Sequence, residues 1–447
     1  MSATTQDNIG EGQPTLASVK AQNPRVFVIS QRGEPLMPTT ASRARRLLKC
    51  GEAKVVRRTP FTIQLLYPTG ETKQAISLGV DAGTKRVGVS ATTEKCVLFE
   101  AEVKLRTDIQ ELLASRRMYR RSRRQRKTRY RKARFTNCKK PKGWVAPSIQ
   151  NKINTHAKVI ALMHRLMPVS KIIIELAQFD LQKMNNPDIS GAEYQQGPQL
   201  GFWNTREYCL SRDSYTCQYC AGKSGDKVLN VHHIESRLTG GDAPDNLLTL
   251  CKTCHSTIHR DKLAGKIKRK RPSSRDAMQM NIMRRFLHEA VCAVYKNVDV
   301  TFGYITKCVR IQNNLAKSHT IDARCISGNP LAQPVSSPYL IKQARRQNRQ
   351  LHRAKVRKGG KRQASKAQRY MFGFQLFDKV IFKGQECFVV GRRSTGSFII
   401  RLLDGTVLSN CIRYKKLKIV EKATILLIQS CAVFAENTQS IKEKNCA

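Results

Sequence analysis

The sequence contains few acidic residues for its size. Its 447 residues include 32 Asp and Glu against 81 Lys and Arg, which gives a formal net charge of +49 at pH 7. An ordinary soluble enzyme does not carry such an excess of cations without a polyanionic partner. The imbalance therefore predicts that the chain works on or with nucleic acid.

Long hydrophobic runs are also missing. The most apolar stretch, residues 423–435, is interrupted by Gln429 and Ser430 and is far shorter than the roughly 20 residues that a membrane-spanning helix needs. Residues 1–24 are polar, with neither a hydrophobic signal core nor an arginine-rich amphipathic pattern, which predicts a disordered tail. We expect no membrane association and a cytoplasmic, nucleoid-associated location of prokaryotic type, with an organelle as the alternative.

The cysteines do not form a disulfide framework. There are 15 of them, an odd number, and outside two paired motifs they occur singly. Small secreted proteins instead carry even numbers of cysteines in dense patterns. The sequence thus predicts a reducing compartment.

Two Cys-x-x-Cys pairs stand out among the cysteines. Cys217 and Cys220 make the first pair, and Cys251 and Cys254 make the second. Each pair has the spacing that places two thiolates on one tetrahedral ion, and two such pairs suit a closed structural zinc site. We predict that a Zn²⁺ ion bound here stabilises the fold and takes no part in catalysis.

Histidines within the same segment predict a second metal site. His255 and His259 are four residues apart in a predicted helix, so they share one face. His232 ends a short apolar strand and would supply a third ligand, whereas His233 points the other way and is free to act as the base that activates water. The ion would keep open positions for phosphate and water. Asn246 would hold the loop in place by hydrogen bonds.

This pattern resembles the HNH, or ββα-metal, endonucleases. The alternative is a plain zinc ribbon, in which the cysteine pairs are structural and the histidines have no role. A ribbon does not require the four histidines and the asparagine together, so the pattern favours the nuclease.

Basic residues are concentrated in one segment. Residues 116–134 contain twelve Lys or Arg and no acid, whereas a solvated helix face normally interleaves Glu. This predicts a nucleic-acid contact, while two further basic runs, 260–275 and 342–369, fit a disordered linker as well as a specific contact. The arginines of the predicted contact are Arg116, Arg117, Arg120, Arg121, Arg123, Arg124, Arg126, Arg129, Arg131 and Arg134.

Three separate segments each carry an acidic residue in a setting that suits a metal site. Asp81 ends an apolar strand that is followed by a glycine turn and a returning strand, and Glu175 ends a second apolar run. His319 and Asp322 lie three residues apart and would share one helical face. We expect the three carboxylates to converge on two divalent ions roughly 4 Å apart. Hard oxygen ligands select Mg²⁺ or Mn²⁺.

Together these motifs resemble the IscB family of transposon-encoded, RNA-guided nucleases. VDAGT around Asp81, IIIEL around Glu175 and KSHTIDA around His319 and Asp322 look like the three split motifs of a RuvC-type nuclease with an RNase H fold. The arginine-rich segment lies between the first and second motifs, like a bridge helix, and the HNH pattern lies between the second and third. PLMP at residues 35–38 is similar to the motif that names the N-terminal domain of the family.

The resemblance implies an α/β multidomain fold with an RNase H-like (RuvC) core, an inserted ββα-metal HNH domain, an arginine-rich bridge helix and a small C-terminal β-barrel-like domain. Short predicted strands between residues 374 and 411 fit that last domain, which would recognise a target-adjacent motif and touch the guide RNA. The expected segments are a tail at 1–24, PLMP at 25–73, RuvC at 74–108, 141–200 and 273–333, the bridge at 109–140, HNH at 201–272, and a basic linker with the C-terminal domain at 334–447.

The resemblance also implies a mechanism. A guide ωRNA would pair with one strand of a double-stranded DNA target, and the bridge arginines would hold the RNA backbone. The HNH residues, with Mg²⁺ or Mn²⁺, would cut the guide-paired strand. Asp81, Glu175 and Asp322, assisted by His319, would cut the displaced strand. We expect one protein chain in each ribonucleoprotein.

Two other functions compete with this prediction. A protein-only HNH endonuclease of the homing kind would read DNA with its own basic surface, but it does not explain the second set of carboxylates. An RNA-binding protein with relic nuclease sites would have lost some of the catalytic residues, and none is missing from the sequence.

Overall fold

The computed structural model describes most of the chain and divides it into two units. The larger unit comprises Met1–Thr107, Phe135–Ala177 and Met283–Ala447, and the smaller unit comprises Asp108–Arg134 and Gln178–Ile282. In the described ranges, no helix is both long enough and apolar enough to cross a membrane. These ranges are 22–70, 72–124, 141, 143–176, 204–235, 242–260, 275–345 and 368–430.

A four-stranded sheet forms the N-terminal part of the larger unit. Helix α1 (Ala41–Lys49) begins after Thr40, whose hydroxyl accepts a hydrogen bond from the backbone N–H of Arg43. Strand β2 contains the PLMP residues, and the sheet and α1 enclose a small apolar core. In spatial order, the strands are β2 (Pro35–Thr39), β1 (Val26–Ile29), β4 (Thr62–Leu65) and β3 (Ala53–Arg57).

A seven-stranded mixed sheet forms the centre of the larger unit. Strands β5, β8 and β11 run parallel to one another, whereas β5, β6 and β7 form an antiparallel meander. The predicted strands that end in Asp81 and Glu175 are therefore neighbours. In spatial order, the strands are β11 (Val298–Thr301), β8 (Lys171–Glu175), β5 (Ser77–Asp81), β6 (Arg86–Thr92), β7 (Val97–Lys104), β12 (Tyr339–Gln343) and β18 (Leu426–Ser430).

Several further helices are distributed over the two units. Helix α3 starts at a proline, whose fixed φ suits the first helical position, and one face of it is buried in the larger unit. The predicted helix that carries His319 and Asp322 is α8. The helices outside the N-terminal sheet and the HNH segment are α2 (Ile109–Arg124), α3 (Pro147–Leu166), α6 (Arg275–Cys292), α7 (Gly303–Gln312) and α8 (His319–Ile326).

Helix α8 lies directly on the central sheet, over two glycines. A Cβ atom built on Gly79 would lie 2.0 Å from the carbonyl oxygen of Ala323, and one built on Gly88 would lie 1.7 Å from that of His319. No other residue type leaves room for such an approach of helix backbone to strand backbone. The two glycines therefore fix how close α8 comes to β5 and β6.

The smaller unit contains a ββα arrangement in the predicted HNH segment. Helix α4 (Thr205–Arg212) precedes an antiparallel pair of strands, β9 (Leu229–His233) and β10 (Leu247–Cys251), and α5 (Lys252–Arg260) follows. A short 3₁₀ turn, Pro244–Asn246, leads into β10. The predicted strand and helix positions of the metal-site histidines agree with this structure.

The C-terminal part of the larger unit is a five-stranded antiparallel sheet around its own apolar core. Four of its strands were predicted. The fifth, β17, was not, because its four residues have a charge at each end and none of them is fully buried. The barrel-like closure of this sheet stays a prediction. In spatial order, the strands are β16 (Val407–Arg413), β15 (Ser397–Arg401), β14 (Gln385–Arg392), β13 (Lys379–Phe382) and β17 (Lys418–Glu421).

Two predicted segment boundaries differ from the structure. Gln22, inside the predicted tail at 1–24, donates its backbone N–H to the carbonyl oxygen of Pro334 and accepts a hydrogen bond from the N–H of Ser336. Strands β12 and β18, inside the predicted C-terminal segment at 334–447, pair with each other and extend the central sheet. Backbone pairing needs no side-chain signature, so the sequence did not reveal either partnership.

The glycine contact predicts a stability effect. Gly79→Ala should lower the free energy of unfolding by about 1–3 kcal/mol, because the added methyl group meets backbone atoms that must shift. A Cβ on Gly70 would meet no atom within 4 Å, so Gly70→Ala is the matched control. Thermal unfolding of the two variants tests this, and equal melting temperatures would contradict the contact.

Candidate functional site

The four cysteines of the two Cys-x-x-Cys pairs come together in the smaller unit. Their Sγ atoms all lie within 4.8 Å of one another, and those of Cys220 and Cys251 are 3.9 Å apart. Zinc–sulfur bonds of about 2.3 Å in a tetrahedral site place the sulfur atoms about 3.8 Å apart. The donor set and its spacing are therefore compatible with a structural zinc site.

Polar contacts around these sulfurs favour thiolate ligands. The hydroxyl oxygen of Ser224 lies 3.4 Å from Sγ of Cys220 and 3.0 Å from Sγ of Cys251. Hydrogen bonding with Ser224 lowers the pKa of the Cys220 thiol to about 6, whereas burial raises the pKa of Cys254. Because the thiolate is the form that binds metal, a cation would bring the buried thiols into the same ionised state.

Three histidines form a second cluster in the same unit. Their candidate ligand nitrogens all lie within 4.8 Å of one another. His255 and His259 are one turn apart on α5, with their Nε2 atoms 3.2 Å apart, and His232 faces them from β9. The structure thus brings together the three histidines that the sequence predicted as ligands.

His232 shows that this cluster fits a metal ion. Its side chain is buried, and its Nε2 atom has no hydrogen-bond partner among the described residues, although buried polar atoms are normally satisfied. Burial, followed by the nearby histidines, lowers the pKa of His232 to about 4. The ring is therefore neutral at pH 7, with a nitrogen lone pair available for coordination.

His233 lies on the other side of β9. Successive side chains of a strand point to opposite faces, and His233 is partly exposed where His232 is buried. The Nε2 atom of His233 is 2.9 Å from a carboxylate oxygen of Asp242, which orients the ring. The placement of His232 and His233 on opposite faces agrees with the sequence prediction, and their roles as ligand and base stay predictions.

Asn246 fastens the backbone that follows His233. The fully buried side chain accepts a hydrogen bond from the N–H of Glu235 at 2.9 Å and donates one to its carbonyl oxygen at 3.1 Å. The backbone oxygen of Asn246 also accepts from the N–H of Ile234. Asn246 therefore makes loop-holding hydrogen bonds of the kind that the sequence predicted, and its role in positioning the base stays a prediction.

Arg212 and Asp213 support the same turn, and sequence reasoning missed them. Arg212 donates to the carbonyl oxygens of Pro244 and Leu247, at 2.7 and 2.9 Å, on either side of the turn that holds Asn246. Asp213 accepts two hydrogen bonds from Arg212, at 2.8 and 2.9 Å. An adjacent Arg-Asp pair belongs to no motif, so only the structure reveals this role.

The carboxylates of the larger unit lie near the carboxyl ends of two internal strands of the central sheet. Asp81 and Glu175 are register partners at the ends of the parallel strands β5 and β8, so their backbones are about 4.8 Å apart. The close approach of α8 brings His319 to Asp81, with Nδ1 of His319 2.7 Å from Oδ2 of Asp81. Asp322 lies one turn further along α8.

The electrostatics around these carboxylates favour a cation. Burial raises the pKa of Glu175, and the charges of Asp81 and Asp322 raise it further. Burial and the charge of Asp81 also raise the pKa of Asp322. The hydrogen bond with Asp81 raises the pKa of His319. A divalent ion would relieve the repulsion among these oxygens, although their ligand atoms do not form a set within 4.8 Å like the two clusters above.

Helix α7 contributes two residues that sequence reasoning missed. The hydroxyl of Thr306 donates to Oε2 of Glu175 at 2.5 Å. Nε of Arg310 lies 3.0 Å from Oδ1 of Asp322, and this ion pair is mostly buried. Both residues orient predicted metal ligands, and neither belongs to a recognisable motif.

The arginine-rich segment is described only in its first part. Arg116, Arg117, Arg120 and Arg121 are exposed on α2. Arg123 and Arg124 lie in the last turn of α2. The remaining predicted contacts lie outside the described residues, and they are Arg126, Arg129, Arg131 and Arg134.

Comparison with known proteins gives two family matches. Residues 26–197 match the family described as RRXRR protein, and residues 217–261 match the HNH endonuclease family. No curated protein matches the chain. Among solved structures, the crystal structure of Streptococcus thermophilus Cas9 in complex with the AGAA PAM is similar over 41% of this chain, with 14% sequence identity and a TM-score of 0.27. The matched part spans 26% of that Cas9 chain.

The HNH match covers the cysteine cluster and the histidine cluster, so the smaller unit contains an HNH endonuclease domain. The RRXRR match covers the first two carboxylate segments and the arginine-rich helix. Taken with the split motifs, an RRXRR segment followed by an HNH endonuclease domain fits an IscB-like nuclease, and the family resemblance that the sequence indicated is confirmed.

Proposed function

We propose that this chain is an RNA-guided DNA endonuclease with two cutting sites, one for each strand. One observation carries the proposal. A strongly basic chain has two separate groups of side chains suited to metal-dependent phosphodiester hydrolysis, the histidines in the smaller unit and the carboxylates in the larger unit. The HNH site cuts the guide-paired strand, and the carboxylate site cuts the displaced strand. A protein-only endonuclease would need just one of these clusters.

In the HNH site, His233 is the general base. Its ring is accessible and oriented by Asp242, and the backbone behind it is fastened by Asn246. An imidazole in this position can take a proton from the attacking water. His232, His255 and His259 would hold a Mg²⁺ or Mn²⁺ ion, which stabilises the charge that builds on the phosphate.

In the carboxylate site, the strand topology supports a RuvC-type core. The order β7-β6-β5-β8-β11, with an antiparallel meander followed by two parallel strands, agrees with the RNase H-like arrangement that the family resemblance implies. Asp81, Glu175 and Asp322 would hold Mg²⁺ or Mn²⁺ ions through hard oxygen ligands. His319 orients Asp81 through their hydrogen bond.

The remaining parts of the chain serve nucleic-acid binding and stability. The exposed arginines of α2 are suited to the RNA backbone, where contacts position the nucleic acid without reading its sequence. We assign the sheet β13–β17 to the recognition of a target-adjacent motif and to guide-RNA contact. The four cysteines would hold a Zn²⁺ ion that stabilises the HNH domain.

RNA dependence is the first test of this function. Protein purified from cells that express the surrounding locus should carry one abundant RNA species, and it should cut a plasmid with a matching target only while that RNA is present. Sequencing of the co-purified RNA supplies the guide, and cleavage is measured before and after RNase treatment and after addition of synthetic RNA. Equal cutting after RNase treatment would contradict RNA guidance.

Strand-specific nicking is the second test. Asp81→Ala should leave a nick in the guide-paired strand, and His233→Ala should leave a nick in the displaced strand, because each change removes one site. The lost cut should slow by about 100-fold or more. Substrates labelled on one strand or the other separate the two cuts. Glu94→Ala, at an exposed carboxylate on a turn, and His288→Ala are the controls, and both should keep both cuts. Loss of both cuts in either test variant would show that the two sites are not independent.

Metal content is the third test. The purified protein should contain about one zinc per chain, and Cys254→Ala should remove it and lower the melting temperature of the HNH domain, since structural zinc stabilises the folded site. Cys411→Ser, at an exposed cysteine outside the cluster, should keep the zinc. Elemental analysis and thermal unfolding give both readouts, and full zinc content in Cys254→Ala would rule out the cysteine site.

A further inference from the structure

Two exposed aromatic rings lie beside the carboxylate site, and the proposed mechanism does not use them. Phe302 and Tyr304 follow strand β11 directly and are 43% and 69% exposed. Their ring centroids are 6.2 Å apart, and their planes differ by only 8°. The pair therefore presents flat apolar surfaces to solvent, in nearly the same orientation.

The backbone places these rings next to Glu175. Thr301, the last residue of β11, is the register partner of Glu175, and Phe302 comes directly after it. Gly303, between the two rings, lies so close that a Cβ atom there would be 2.9 Å from Oε1 of Glu175. Thr306 on the next turn donates to the other carboxylate oxygen. The turn that carries the rings is thus the turn that holds a predicted metal ligand.

Neither helix capping nor core packing explains why aromatic residues stand at positions 302 and 304. Phe302 occupies the N-cap position of α7 and makes no side-chain capping hydrogen bond, whereas Ser, Thr, Asp or Asn would stabilise the helix there. Tyr304 is more than two-thirds exposed and contributes little to the core. A position that breaks a local stability rule beside a candidate active site points to binding.

We propose that Phe302 and Tyr304 form a stacking platform for an unpaired base of the DNA strand that is cut at the carboxylate site. The proposal rests on the proposed function and adds a positioning site to it. Aromatic rings stack on any base, because every base has a π face, and such stacking requires a strand that is not paired. The displaced strand has this property, whereas the guide-paired strand has its bases covered.

The surrounding charge fits the same ligand. Lys307 is exposed three residues after Tyr304 on α7, so the two side chains share one face of the helix. A cation next to an aromatic surface matches the alternation of phosphate and base in a single strand. Stacking at this point would place a neighbouring phosphate near the carboxylates, because Gly303, between the two rings, lies against Glu175.

The test compares the two cuts in one reaction. The double variant Phe302→Ala/Tyr304→Ala should slow cutting of the displaced strand by about 10- to 100-fold and leave cutting of the guide-paired strand unchanged. Tyr304→Phe should keep the wild-type rate, since it keeps the ring, whereas Tyr304→Leu should lose rate, since it keeps only the apolar bulk. Ile305→Ala, at an exposed apolar neighbour on the same helix, is the matched control.

A second readout reports stacking without cutting. In complexes made with Asp81→Ala protein, 2-aminopurine placed at successive positions of the displaced strand should be quenched at one or two positions. The quenching should disappear when Tyr304→Leu is added. This exposed substitution is expected to fold normally, so it decides the question even where the double variant misfolds.

The outcomes separate this proposal from the proposed function. If Asp81→Ala abolishes the displaced-strand cut while the aromatic variants cut both strands at the wild-type rate, the platform is wrong and the two-site function stands. If Asp81→Ala leaves that cut intact, the proposed function fails, and the platform fails with it. Selective loss of the displaced-strand cut together with loss of quenching supports the platform.

Discussion

The carboxylate site depends on the close contact between helix α8 and the central sheet. Gly88 is the register partner of Asp81 on the neighbouring strand, so the point where α8 touches the sheet lies beside Asp81. This contact is what allows His319, the first residue of α8, to reach that carboxylate. Further along α8, a buried ion pair joins Arg324 to Glu100 on β7, at 2.8 Å. Any side chain at Gly88 would lift the beginning of the helix and separate His319 from Asp81.

The two candidate sites differ in their candidate metal donors and in the groups that hold those donors in place. In the HNH domain, histidine nitrogens would be the metal donors, and Asn246 and Arg212 hold the adjoining turn through backbone carbonyl and amide groups. In the larger unit, carboxylates would be the donors, and Thr306 and Arg310 hold Glu175 and Asp322 directly through their oxygens. Nitrogen and hard oxygen donors set different preferences for metal ions. The sites therefore need not respond alike to a change of metal.

The sequence predicted the residues whose roles are visible in short motifs. The strands that end in Asp81 and Glu175, the four clustered cysteines and the opposite orientations of His232 and His233 all follow from local spacing, which fixes the face on which a side chain lies. Contacts between distant segments leave no such trace, and this explains why Thr306, Arg310 and the pairing of β12 with β18 were missed. The signal of Gly79 and Gly88 was present, since glycine inside a buried strand indicates a close backbone approach. The sequence did not indicate which helix would approach.

Neither cluster contains a means of choosing where to cut. The side chains of both clusters would act on phosphate and water, which are the same at every nucleotide. Phe302 and Tyr304 can stack on any base. Selection must therefore come from outside the two clusters. If each of the 32 acidic residues paired with one Lys or Arg side chain, 49 of the 81 Lys and Arg residues would still lack a counter-charge within the chain. Under the proposed function, a bound RNA would supply both missing elements, because its phosphates would neutralise this excess and its bases would read the target by pairing. Under the proposed function, the positive charge of the protein and the absence of base-reading groups from the two clusters have one cause.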